Sequence, residues 1–153
     1  MPGPPARHPI GLYLTQVAKV VSRAFDDALA RAGGSLPMWL VLISLKSRQA
    51  ASQRELAETV GIQGATLTHH LNAMESAGLL TRRRDPANRR IHVVELTPEG
   101  DALFVRLRDA ALAFDARLRS GLSEPDLAQL QDLLTRLRDN VTSQDTIRGS
   151  RPG

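Results

Sequence analysis

The chain has 153 residues, 42% of them hydrophobic and 24% charged, with no cysteine and a formal net charge of +4. That length suits one folding unit with a real core and is too short for two independent ones, and the missing cysteine excludes disulfides, thiolate metal sites and thiol redox sensing. Only 3% of residues are aromatic and only Lys19 and Lys46 are lysines, so the core must be built from Leu, Val, Ala and Ile, and the basic charge is carried by arginine, which suits bidentate phosphate and guanine contacts.

Met1 to Pro9 is rich in proline and glycine and lacks the hydrophobic stretch of a secretion signal. No apolar run approaches the roughly 20 residues that span a bilayer. The expected compartment is therefore the cytoplasm, with no membrane partner. From Pro9 to about Ala32, apolar residues recur every three or four positions (Ile10, Leu14, Val17, Val21, Phe25, Ala28), which predicts one amphipathic helix ended by Gly33 and Gly34. A second helix, about Leu36 to Ser47, is apolar on nearly every side and is expected in the middle of the fold.

Ser52 and Glu55 form an S-x-x-E pair, the signature of a reciprocally capped helix start. A short helix carrying Leu56 and Val60 inward follows and stops near Gly61. From Gln63 to Ala77 the next helix buries Leu67, Leu71 and Met74 on one face. At about 100° per residue its opposite face holds Ala65, His69, Asn72 and Ala73, flanked by Thr66 and Thr68. Leu79 to Arg84 and Ile91 to Leu96 read as two strands joined by Asp85-Pro86-Ala87-Asn88, which is turn chemistry. Thr97 and Pro98 open a helix running to about Ser120, and Ser123 with Asp126 opens a last one, whose stripe of Leu127, Leu130, Leu134, Leu137 and Val141 is coiled-coil-like. Residues 144–153 have no apolar period and are expected to be a flexible tail.

The order capped helix, turn, helix, arginine-rich hairpin suits a module that puts one helix in the DNA major groove and a hairpin tip in the minor groove. Thr66, Thr68, His69 and Asn72, with Gln63 at the helix start, offer groups able to bond base edges. Residues 82–90 hold five arginines and one acid, and Arg89 and Arg90 are placed to enter a narrow minor groove, with Arg82 and Arg84 beside them. Ser52 and Gln53 offer phosphate contacts at a helix start. A solvated helix face and a soluble hairpin edge are the plain alternatives, and clustering on one module favours DNA.

Four histidines do not make a metal site: His69 and His70 point about 100° apart on a helix, His92 is on a strand and His8 is near the start, so no metal and no cofactor is expected. There is no glycine-rich phosphate loop, no His-Glu-x-x-His and no Gly-x-Ser-x-Gly, so an enzyme is not expected. The terminal helices carry more apolar surface than the small module covers, which points to a homodimer; two groove helices one DNA turn apart would match a near-palindromic double-stranded site. The competing reading is a winged-helix interaction or dimerisation module with no DNA site.

Four stretches carry a resemblance to the MarR family of winged helix-turn-helix regulators: Leu36-Pro37-x-Trp39-x-Val41-Leu42, Gln53-x-Glu55-Leu56-Ala57, Leu71-x-x-Met74-Glu75-x-x-Gly78-Leu79-Leu80-x-Arg82, and Arg90-x-x-x-Val94-x-Leu96-Thr97-x-x-Gly100. The resemblance implies a mainly α (α+β) single domain: residues 9–35 and 98–143 as dimerisation helices and 36–97 as the winged helix-turn-helix lobe. It also implies repression relieved by a small aromatic or phenolic ligand, held near Leu12, Tyr13, Gln16, Met38 and Trp39. The family's Asp-x-Arg wing pattern reads Asn88-Arg89-Arg90 here, with Asp85 as the candidate substitute for the missing carboxylate.

Overall fold

The computed structural model describes the backbone of residues 9–48 and 50–148 and the side chains of 9–47 and 52–143. Where length alone suggests one folding unit, contacts divide the chain into two, Met1–Phe114 and Asp115–Gly153.

In the first unit the apolar period of the opening segment produces helix α1, Ile10–Arg31. Only its C-terminal half reaches the core: Leu29 is fully buried and the Phe25 ring lies 5.0 Å from that of Phe114, whereas Ile10, Leu12, Tyr13, Leu14, Val17 and Val20 are exposed. Helix α2, Leu36–Arg48, is central as expected, with Val41, Leu42 and Leu45 buried. Ser44 is buried with them, and its hydroxyl donates to the Leu40 carbonyl at 2.9 Å, so no polar group is left unpaired there. Ile43 nevertheless faces outward, so the helix is not wrapped on all sides.

Helix α3, Gln53–Val60, starts where Ser52 Oγ accepts the Glu55 N–H at 3.1 Å and ends at Gly61, whose φ of 69° is the left-handed conformation that a side chain would resist. Helix α4, Gly64–Ser76, has Gln63 and Ala77 as its caps and turns Leu67, Leu71 and Met74 into the core, as their spacing predicts.

The sheet has three strands rather than the two read from sequence. Ala50–Ser52 (β1), Leu80–Arg84 (β2) and His92–Leu96 (β3) pair antiparallel in the order β1-β3-β2, with Ser52 opposite Val93, Leu80 opposite Leu96 and Arg82 opposite Val94. Strand β1 has three residues and none is β-branched, so its conformation comes from pairing with β3 and not from local propensity. Leu80 and Val94 seal the sheet against the leucine core, each such burial contributing about 1.5–3 kcal/mol.

Helix α5, Pro98–Leu118, is anchored by Thr97, whose N–H donates to the Leu79 carbonyl at 3.1 Å, whose hydroxyl donates to the Gly78 carbonyl, and whose Oγ accepts the Gly100 N–H at 3.1 Å. In the second unit, helix α6 spans Glu124–Arg148. It begins with a reciprocal cap, Ser123 N–H to Asp126 Oδ2 at 2.8 Å and Asp126 N–H to Ser123 Oγ at 3.2 Å. The Ser123 bonds hold the Asp126 carboxyl below its ordinary range. Helix α6 continues through residues 144–148 of the expected tail, and 149–153 lie outside the described residues. Of that stripe Leu130, Leu134 and Val141 are exposed, as are Leu118, Leu122 and Leu133. Among the described residues no single helix is long and apolar enough to cross a membrane.

Candidate nucleic-acid interface

Burying Leu67, Leu71 and Met74 forces the other side of α4 outward, and Ala65, Thr66, His69, Asn72 and Ala73 are all exposed. Gln63, at the open N-terminal end, is exposed too, with no side-chain cap bond. Thr68 differs. It is half-buried, donates to the Gly64 carbonyl at 2.9 Å and accepts from Gln53 Nε2 at 2.7 Å, so the pair expected to contact DNA independently is joined between α3 and α4. Ser52 Oγ is engaged in capping α3.

The arginines of the hairpin separate by position. On β2 the alternation of faces puts Arg82 on the inner side with Leu80, and its guanidinium turns onto α4: Nε donates to Glu75 Oε2 at 3.3 Å, and Nη2 donates to Glu75 Oε1 at 3.3 Å and to Asn72 Oδ1. The hydrogen bond from the Arg82 side chain holds the Glu75 carboxyl below its ordinary range against an opposing push from burial, with charge attraction and the Arg82 backbone N–H adding to the lowering. Arg83, on the outer face, pairs with Glu95 at 3.0 Å, and Arg84 Nη1 donates to the Arg89 carbonyl at 2.9 Å.

The wing turn is built from two side-chain turns. Asp85 Oδ1 accepts the Ala87 N–H at 2.8 Å, Asn88 Oδ1 accepts the Arg90 N–H at 3.1 Å, and the Asp85 N–H to Ile91 carbonyl bond at 2.9 Å closes the loop. Asn88 therefore makes its own turn, and Asp85 is occupied with a separate one. Arg89 and Arg90 are exposed, and among the described residues neither guanidinium has a partner.

Ser52, Gln53, Thr68, Arg82 and Arg90 line one open depression of about 800 Å³ between the helices and the wing. Arg54 and His92 line it as well, and sequence reading missed both. The signal for Arg54 was available: it directly follows the Ser52-Gln53 helix start, and its bond to Glu58, 3.7 Å long between two largely exposed side chains, binds it weakly. Among the described residues no group of three or more His, Asp and Glu could hold a metal, and His8 lies outside them.

The five residues expected around a ligand divide. Leu12, Tyr13 and Gln16 are exposed on α1, whereas Met38 and Trp39 are half-buried against the core, with Trp39 stacked on Phe104 at 5.5 Å. Neither the depression under the wing nor a second one lined by Asp26, Asp27, Ser35 and Pro37 includes any of them.

A helix pair joined by a tight turn, with an exposed polar face on its second helix and an arginine-tipped hairpin behind, defines a winged helix-turn-helix regulator. The family whose sequence profile matches, over residues 35–92, is the MarR family. The HTH-type transcriptional regulator YdgJ of Bacillus subtilis strain 168 is 32% identical over 133 residues, covering 86% of this chain and 79% of the relative. The transcriptional repressor CouR, solved on a 23-mer DNA duplex, superposes with a TM-score of 0.75 at 27% identity, covering 85% of this chain and 92% of that one. A MarR-family regulator from Rhodococcus sp. RHA1 gives 0.70 at 26% identity over 84% and 91%. The chain belongs to the MarR family: it is a DNA-binding transcriptional regulator and not an enzyme.

Proposed function

We propose that two copies of this chain bind near-palindromic duplex DNA in the cytoplasm and repress transcription from it. In this reading Thr66 and His69 meet base edges in the major groove, Gln63 and the start of α4 meet the adjoining backbone, and Arg89 and Arg90 enter the minor groove and its phosphates. The observation that carries it is the coincidence, on one module, of an exposed polar helix face with two wing-tip arginines whose charge is not spent internally. The dimer is supported by the exposed apolar residues of α1, of α5 (Leu112) and of α6, which a monomer would leave in water. The test is selection of bound fragments from a random duplex pool together with sedimentation: half-sites centred about 10 base pairs apart and a dimer at micromolar concentration are expected. A monomer, or no enriched sequence, refutes it.

The regulatory half of the reading is release by a small aromatic acid. It is supported by the family and by the aromatic surface that Trp39, stacked on Phe104, and the exposed Tyr13 offer. Trp39 is the only tryptophan, so it reports on its own surroundings. Titration with benzoate-class acids should change its emission over the same concentration range that weakens DNA binding. Emission that stays constant while DNA is released places the ligand elsewhere.

A further inference from the structure

Between the groove helix and the wing, Asn72, Glu75 and Arg82 form a closed polar cluster. The Arg82 side chain is 16% exposed, against 53% for its neighbour Arg83, although both stand on the same short strand. Three side-chain contacts and one backbone contact hold Arg82: its backbone N–H donates to Glu75 Oε2 at 3.1 Å, Nε donates to the same oxygen at 3.3 Å, and Nη2 reaches both Glu75 Oε1 at 3.3 Å and Asn72 Oδ1. Asn72 and Glu75 lie one turn apart on α4, and Arg82 sits at the centre of β2, opposite the fully buried Val94. The guanidinium thus ties the middle of the groove helix to the strand that carries the wing.

We propose that Arg82 is a positioning residue: it makes no DNA contact, and by clamping Glu75 and Asn72 it fixes the offset between α4 and the wing tip at which Arg89 and Arg90 are presented. The inference rests on the DNA-binding geometry proposed above. A helix and a hairpin that must enter neighbouring grooves together gain affinity when their separation is set beforehand, because ordering a loose wing on binding costs entropy. Charge points the same way. An unpaired carboxylate on the groove helix would repel phosphates, but paired with Arg82 it leaves that spot near neutrality, so the pair releases few counterions when DNA binds. The planar fork matters as well, since one guanidinium reaches two side chains at once and an ammonium cannot reproduce that geometry.

The test uses the full chain with Glu75→Gln, Arg82→Gln, Arg82→Lys and the double variant Glu75→Gln/Arg82→Gln. Affinity for the selected duplex is measured by fluorescence anisotropy over a salt series, and amide exchange of residues 83–92 is measured in the free protein. Glu75→Gln and Arg82→Gln should each weaken binding by a similar factor, about three- to tenfold, with the salt slope unchanged. The double variant should be no weaker than either single one, Arg82→Lys should fail to restore affinity, and wing amides should exchange faster in all four. If Glu75→Gln tightens binding while Arg82→Gln lowers the slope by about one, Arg82 is a phosphate contact and the proposal is overturned. Unchanged wing exchange in Glu75→Gln overturns it too. That readout needs no DNA, so it separates failure of the clamp from failure of the DNA-binding geometry. Glu75 is 41% exposed, so its variant folds and carries the test even where Arg82→Gln does not.

Discussion

Replacing Gly100 with alanine tests how rigidly α5 is locked to the sheet. A Cβ built there lies 2.0 Å from the Leu79 carbonyl oxygen, 3.0 Å from its carbon and 3.1 Å from Leu96 Cδ2. The first of these is more than an ångström inside contact distance, and the group it strikes is backbone, not the end of a flexible side chain. That carbonyl already accepts the Thr97 N–H at 3.1 Å, and the next residue, Leu80, is 1% exposed in the core. Relief therefore requires moving α5 off β2, which strains the Thr97 cap and opens the packing around Leu80 and Leu103. Overpacking of this kind costs about 1–3 kcal/mol and a weakened cap about 1 kcal/mol, against a helix-propensity gain of about 0.5–1 kcal/mol for removing glycine. A net loss of about 2 kcal/mol lowers the melting midpoint by about 4–8 °C for a chain of this size. The assay is thermal unfolding at fixed protein concentration, with Gly64→Ala as control, since a Cβ at Gly64 meets nothing within 4 Å. If Gly100→Ala melts within about 2 °C of the parent, the carbonyl moves freely and the lock does not exist.

Arg90→Ala should weaken DNA binding and reduce the slope of log affinity against log salt by about one unit, whereas Arg83→Ala, whose partner is Glu95, should leave the slope nearly unchanged; equal slopes for Arg90→Ala and the parent would remove Arg90 from the interface. The lowered carboxyl of Glu75 makes stability depend on pH in a defined direction. Its unfolded form titrates near the ordinary value of 4.5 and its folded form lower, so the contribution is fully present above 4.5 and is lost as pH falls through the folded value. Melting curves from pH 5 to pH 3 should fall less steeply in Glu75→Gln than in the parent, and parallel curves would contradict the clamp's charge.

What could be read beforehand follows from how local the cause is. Capping of α3 and α6 depends on residues three apart, and burial of Leu67, Leu71 and Met74 depends on the helical period, so each was visible in the order of residues. Strand β1 was invisible because Ala50–Ser52 is made a strand by β3, more than forty residues away. The wing arginines read as one charge cluster, and separating them needed the pleat: two residues after the buried Leu80, Arg82 faces the core and finds Glu75, while Arg83 faces out. The alternation was available in the sequence, and the carboxylate waiting on α4 was not. The ligand residues rest on the family resemblance alone, since a pocket is a relation between elements that the order of residues does not show; Trp39 stacks on Phe104 from α5.

The amide at position 88 follows from the same geometry. The group that its side chain satisfies is the backbone N–H of Arg90, a neutral donor, and an amide carbonyl oxygen suffices to accept it. The turn is therefore kept without an acid. A carboxylate at that point would also stand two residues from the Arg90 guanidinium and compete with phosphate for it. With asparagine there, and with the Asp85 oxygen committed to Ala87, the turn itself brings no further carboxylate to the wing tip, and among the described residues none pairs with the Arg90 guanidinium.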